Sequence, residues 1–235
     1  MDAVLDQALA EARILEEEGL DGLLVENFGD APFFPGPVPP ETLAAMAVIT
    51  GNVVRAVSVP VGVNVLRNDA AGALGVAVAT GARFLRVNVH TGVMMTDQGL
   101  VEGRAHETLR RRREMDASVA LLADVLVKHA VAPAGLALEE AARDLWHRGL
   151  ADGIVVSGDA TGRATSTEDL RGVLGALPPG ARVWVGSGVT AETAPTLLGE
   201  AHGLIVGSAL QREGRAGGGV ERDRVRRLMD AVASD

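Results

Sequence analysis

One phrase recurs four times in this chain: the end of a helix, a glycine or small residue, then a short apolar strand. It reads GLDGLLV from Gly19, TGARFLRV from Thr80, GLADGIVV from Gly149 and EAHGLIV from Glu200. Strands that alternate with helices at this spacing form right-handed βαβ units, and a succession of such units builds one parallel sheet. No linker or second domain interrupts the pattern, so residues 1–235 are expected to form a single barrel domain. Aromatic residues are only 3% of the chain, and the small and β-branched side chains that replace them suit a parallel sheet covered by helices.

Seven strands can be read, near residues 21–26, 61–65, 84–89, 119–127, 153–156, 183–185 and 204–206. The chain opens directly on a helix, residues 2–18, which places Val4, Leu5, Ala8, Leu9, Ala12 and Leu15 on one face. The expected fold is therefore an α/β (β/α)8 TIM barrel that lacks its first strand. A barrel short of one strand has two unpaired edges, which natural proteins avoid. The reading is of an N-terminally truncated or misassigned start. An open doubly wound sheet is the alternative, and the turns after the last two strands favour the barrel.

Those turns lie in RVWVGSGVTAETAPTLLGEAHGLIVGSAL, residues 182–210. Two β-branched runs end in Gly186-Ser187-Gly188 and Gly207-Ser208, with a helical pattern between them. A strand that gives way to a helix through glycine leaves free amides beside a helix N-terminus, and this is an anion site that needs no basic side chain. Many (β/α)8 barrels grip phosphate after their seventh and eighth strands. Gly186, Ser187, Gly188, Gly207 and Ser208 are the expected phosphate ligands; two ordinary tight turns are the plainer alternative.

Active sites of such barrels lie at the C-terminal ends of the strands. That level reads Glu26, Asn64, Asn88, Asp124, Ser157 and Ser187. Val-Asn-Val occurs around both Asn64 and Asn88, and asparagine in a strand calls for hydrogen-bond partners in the barrel mouth. In Val119–His129, alternation puts Leu122, Asp124, Leu126 and Lys128 on one face, with Asp124 and Lys128 roughly 13 Å apart. A carboxylate in an apolar strand must be paired or hydrogen-bonded, and Asp124 is a candidate general acid or base. Lys128 is placed to steady an anionic intermediate or to form a Schiff base, or it has a structural role. Asn64, Asn88 and Ser157 are the expected substrate-binding residues, and Glu26 is a possible catalytic partner.

No cofactor is predicted. A divalent cation held by Glu26, Asp124, His90 and His129 is conceivable, but no pair has motif-grade spacing. Asp97, Gln98 and Glu102 lie in a long loop, residues 91–107, whose glycines suit a lid; Phe28–Pro40, with three of the four phenylalanines, is a second candidate wall. The absence of cysteine excludes disulfides and a Cys nucleophile. A net charge of −9 gives a nucleic-acid groove no electrostatic support, and the run Arg110–Arg113 reads as a solvated helix face. No run of about 18 apolar residues suggests a membrane span, so a cytoplasmic protein is expected, with a homo-oligomer open.

LLVENFGDAPF, PVGVNVLRNDA, RVNVHTGVMMTDQG, ADVLVKHA, VGSGVT and LIVGSAL resemble the BtpA (BtpA/SgcQ) family from the first helix to the last. The resemblance implies a phosphate-binding TIM barrel of the ribulose-phosphate-binding kind. It also implies a first strand, with a histidine and a Pro-Leu-Pro-Gly-type turn, which this chain lacks. Two functions follow as expectations. One is a sugar-phosphate-type isomerase or lyase/aldolase that uses Asp124 for proton transfer. The other, suggested by the family's name, is a non-enzymatic factor in photosystem I biogenesis. Phosphoribosylanthranilate isomerase activity as such would lack the Cys general base associated with that enzyme.

Overall fold

The computed structural model describes residues 1–158 and 165–233. The first half of the chain contains α1 (Asp2–Glu17), β1 (Leu23–Glu26), α2 (Pro40–Ala56), β2 (Val61–Asn64), α3 (Ala70–Thr80) and β3 (Phe84–Val87). Next come β4 (Val93–Thr96), β5 (Gly99–Glu102), α4 (Ala105–Glu114), β6 (Ala120–Val125) and β7 (Ala130–Val131). The chain closes with α5 (Leu138–His147), β8 (Gly153–Val156), α6 (Thr167–Ala176), β9 (Val183–Val185), α7 (Ala194–Leu198), β10 (Gly203–Leu204) and α8 (Arg222–Ala233). Local rules set many of these ends. Asp69 accepts from the Gly72 amide and starts α3, while Gly81, at φ 83°, ends it. Ser166 accepts from the amides of Glu168 and Asp169 at the start of α6, as its sequence suggests.

Seven parallel strands form a curled sheet in the order β1-β2-β3-β6-β8-β9-β10. The outer face of each strand carries the aliphatic core: Val63, Leu85, Leu121, Ile154 and Val183 are fully buried under the helices. The inner face is different. On its lower level Phe84 covers Gly62, and Trp184 lies across Gly153 and Gly203, where any Cβ would collide with the ring. Above that apolar floor the same faces turn polar, with Glu26, Asn64, Arg86 and Asp124. The sheet does not close. β1 and β10 remain its edges, and between them lies a cavity of about 1160 Å³ lined by Leu23, Leu24, Trp184, Leu204, Ile205 and Met229. Outside the gap α1 and α8 are tied by Glu18, which takes ion pairs from Arg222 and Arg226.

Four sequence expectations need correction. Residues 91–107 are not a loop: β4 and β5 form an antiparallel hairpin, and β7 pairs with β4 to complete a three-stranded sheet. The strand expected over 119–127 stops at Val125, because Leu126 turns into the left-handed region at φ 48°. Period-2 placement of Leu126 and Lys128 beside Asp124 therefore fails. The helix expected between the paired glycine turns shrinks to the five residues of α7, preceded by a turn in which Thr190 and Thr193 exchange hydrogen bonds. The sequence also reads as a polar loop over Gly158–Ser166, and most of that stretch lies outside the described residues. The arginine run stays on a helix face, with Arg112 paired to Asp152. No helix among the described residues is long and apolar enough to cross a membrane.

Candidate functional site

Five side chains from four adjacent strands form one hydrogen-bonded chain in the barrel mouth. Asn64 Nδ2 donates to Glu26 Oε1 at 2.8 Å, and Arg86 Nη1 approaches the same oxygen at 3.5 Å. The Arg86 fork then holds Asp124, Nε to Oδ1 at 2.9 Å and Nη2 to Oδ2 at 3.1 Å. Asn88 Nδ2 donates a third bond to Asp124 Oδ2 at 3.0 Å. The two asparagines are thus explained: each donates to a carboxylate of the network. Burial works against the charge on Arg86, but Asp124 and Glu26 outweigh it and hold the guanidinium above its usual range.

This geometry divides the two carboxylates. The Asp124 side chain has no exposed surface and accepts three bonds, so it anchors the network and is poorly placed to exchange a proton with a ligand. The Glu26 side chain keeps 26% of its surface, and its Oε2 has no hydrogen bond among the described residues. Arg86 was missed in the sequence, although FLRVNV places Phe84, Arg86 and Asn88 on one strand face by simple alternation. That signal was sufficient to find it.

Lys128 is half-buried beyond the end of β6, near Arg86, Glu26, Asp124 and Arg67. Burial first, and then Arg86, push its ammonium below the usual lysine range. A lowered pKa means that the folded state bears a cost while the amine is charged. That cost is fully present below the lowered pKa and fades as the pH rises through it. Lys128→Met should therefore melt at or above the wild-type temperature at neutral pH. A clear fall in Tm by calorimetry would show instead that the amine supports the fold.

The two glycine turns lie at the mouth ends of β9 and β10. The amides of Ser187, Gly188 and Gly207 donate to no group among the described residues. Gly188 holds φ 68°, a conformation that favours glycine. The hydroxyls of Ser157 and Ser187 are buried with no hydrogen-bond partner among the described residues. A Cβ at Gly186 would stand 3.2 Å from both Arg86 Nη2 and Ser157 Oγ, so this turn adjoins the charged network. Ser208 begins a short 3-10 turn, Ser208–Leu210, a position where phosphate-binding barrels often have a short extra helix.

The walls of the mouth come from loops. Phe28 and Phe33 pack with ring centroids 6.3 Å apart, and Phe34 accepts the Arg67 amide through its carbonyl. His90 is not at the site: it is buried, and its Nε2 bonds the Gly149 carbonyl at 2.8 Å. Among the described residues no three His, Asp or Glu side chains are arranged to hold a metal ion. Asp97 lies in the hairpin turn between β4 and β5, close enough to act on Arg67 and His129.

The BtpA family model matches residues 1–234. The photosystem I biogenesis protein BtpA of Synechocystis is 47% identical over 233 residues, which cover 99% of this chain and 81% of that protein. A protein of Thermococcus kodakarensis is 44% identical, over 97% of this chain and 86% of its own length. Among solved structures, N-(5'-phosphoribosyl)anthranilate isomerase from Pyrococcus furiosus matches with a TM-score of 0.63, over 97% of this chain and 96% of that one, at 15% identity. Thiamine phosphate pyrophosphorylase from Pyrococcus furiosus matches with a TM-score of 0.64 at 14% identity, over 96% of this chain and 89% of that one. At these identities the likeness shows the TIM-barrel fold alone.

Proposed function

The chain belongs to the BtpA family, and from that premise we propose that it binds a phosphorylated small molecule in the barrel mouth and moves a proton on it, as an isomerase or a lyase/aldolase. The observation that carries this reading is the pair of turns after β9 and β10. Their amides, and the hydroxyls of Ser157 and Ser187, have no hydrogen-bond partner among the described residues and make a neutral cradle suited to an anion. Gly186, Ser187, Gly188, Gly207 and Ser208 hold the phosphate, and Ser157 lies between that cradle and the charged network.

Proton transfer, expected of Asp124 from the sequence, is better assigned to Glu26. The Oε2 atom of Glu26 has no hydrogen bond among the described residues, while Oε1 is fixed by Asn64 and Arg86. It removes a proton from the carbon next to a carbonyl, and the electron pair passes to the carbonyl oxygen as an enediolate. Transfer of the adjacent hydroxyl's proton to the enediolate oxygen, and return of the abstracted proton to the former carbonyl carbon, completes an isomerisation. In a lyase the same carboxylate takes the proton of a hydroxyl β to the carbonyl, the carbon–carbon bond between them breaks to release an aldehyde, and the enediolate left behind is protonated on carbon. Arg86 and Lys128 offset the negative charge that develops. Asn64 and Asn88 orient the two carboxylates, and ligand hydroxyls can bond Asn88 Oδ1, which has no partner among the described residues.

The name of the Synechocystis relative supports a second reading, an assembly factor without chemistry. Thermal melting with phosphate and a panel of sugar phosphates, against chloride at equal ionic strength, separates the two. A ligand at about 100 times its Kd adds about 2.7 kcal/mol, or about 5–10 °C for a domain of this size. A shift selective for one sugar phosphate is the expected result. A cooperative melt that no phosphate compound moves would remove the cradle and leave the assembly reading.

A further inference from the structure

The mouth contains a buried cation that the proton-transfer scheme does not use. Arg67 follows β2, and only 6% of its surface is exposed. Its Nη2 donates to the Lys128 carbonyl at 2.6 Å. No carboxylate among the described residues pairs with it directly. Asp124, committed to Arg86 and Asn88, and Asp97 on the hairpin act on it only from a distance. A guanidinium has five donor hydrogens, and burying its charge unpaired is costly.

The surroundings hold this arginine in place. The Arg67 amide donates to Phe34 O at 3.0 Å, and the Leu66 amide before it donates to Asn27 Oδ1 at 2.7 Å. Asn68 after it both accepts from the Val89 amide and donates to the Val89 carbonyl, each at 2.8 Å. Every neighbour of the side chain's root is fixed, so the cation is pre-positioned. Lys128 stands beside it. Among the described residues Arg67, Arg86 and Lys128 lie close to Glu26 and Asp124, with Asp97 acting on Arg67 from the hairpin. Arg67 is rooted after β2, four places from β9 in strand order, and its guanidinium reaches the segment after β6, which is still separated from β9 by β8.

We propose that the ligand carries a carboxylate at the end away from its phosphate, and that Arg67, assisted by Lys128, receives it. The substrate class is thus a phosphorylated sugar acid or a similar phosphorylated hydroxy acid. This rests on the phosphate reading above and adds the second anchor to it. A planar fork matches a carboxylate in two parallel hydrogen bonds, which a lysine alone does not reproduce. With both ends fixed, the middle carbons lie over Glu26.

The test compares phosphogluconate with sorbitol phosphate, which differ only in a carboxylate against a hydroxymethyl group, by calorimetric titration at constant ionic strength. Phosphogluconate should bind the wild type about 10- to 100-fold more tightly. Arg67→Gln should erase that preference and leave sorbitol phosphate binding unchanged, and Arg67→Lys should restore it in part. Arg67→Gln relieves a buried charge that has no direct carboxylate partner among the described residues and loses the bond to the Lys128 carbonyl, so Tm should change little, which keeps the variant usable. Equal binding of the two ligands, or a stronger preference for fructose bisphosphate, would overturn the carboxylate assignment while the phosphate reading stood. Failure of every phosphate compound, inorganic phosphate included, would overturn the phosphate reading and this inference with it.

Discussion

Arg86→Met should be among the most destabilising single substitutions in this protein, with a loss of about 3–5 kcal/mol. The Asp124 carboxylate has no exposed surface, and two of its three hydrogen bonds come from Arg86. Without the guanidinium a buried negative charge keeps only the Asn88 amide, and Glu26 loses its cationic neighbour. For a chain of this size the loss corresponds to a fall in Tm of roughly 6–20 °C. The double variant Arg86→Met, Asp124→Leu should recover most of it, because replacing both members of a buried pair removes the uncompensated charge. Denaturant melts of the single and double variants decide the matter. A single-variant loss below about 1 kcal/mol would show that water reaches Asp124 and that the network is not a structural pair.

Glu26→Gln should produce the largest functional effect. Glutamine preserves the length of the side chain and can still accept from Asn64, so Tm should change little. Turnover of the sugar phosphate that the melting panel selects should fall about 100- to 10,000-fold, the usual contribution of a positioned acid or base. Ligand affinity should be nearly unchanged. Asp124→Asn supplies the contrast: it disturbs the charge balance with Arg86, so its main effect should fall on stability. If Asp124→Asn abolished turnover at unchanged Tm while Glu26→Gln remained active, the two roles would have to be exchanged.

Much of the fold was legible because the outer faces of the strands obey one rule. Val63, Leu85, Leu121, Ile154 and Val183 are aliphatic residues under helices, and that pattern survives without any knowledge of long-range contacts. The polar level was legible for the same reason: Asn64 and Asn88 are costly in a strand unless something bonds them. What could not be read was who bonds whom. In the sequence Asp124 stands as a lone carboxylate, because its partner Arg86 sits on a different strand, 38 residues away. Arg67 was invisible as a site residue because nothing local distinguishes a buried loop arginine from a solvated one. The early end of β6 depends on a left-handed Leu126, a conformation that a leucine does not announce. In the same way the hairpin of β4 and β5 was hidden by Thr-Asp-Gln-Gly, which reads as loop until its flanking residues pair.

The ring lodged between Gly153 and Gly203 has a spectroscopic consequence. The chain has no tyrosine and two tryptophans, and Trp146 lies on α5, away from the barrel interior. Near-ultraviolet absorption and emission therefore come almost wholly from two indoles. Trp184 is the one that floors the barrel and lines the gap between β1 and β10. In a Trp146→Phe background its emission maximum and its quenching by iodide report one quantity, the wetness of that gap. The seam of the barrel thus carries its own optical gauge, readable without any label.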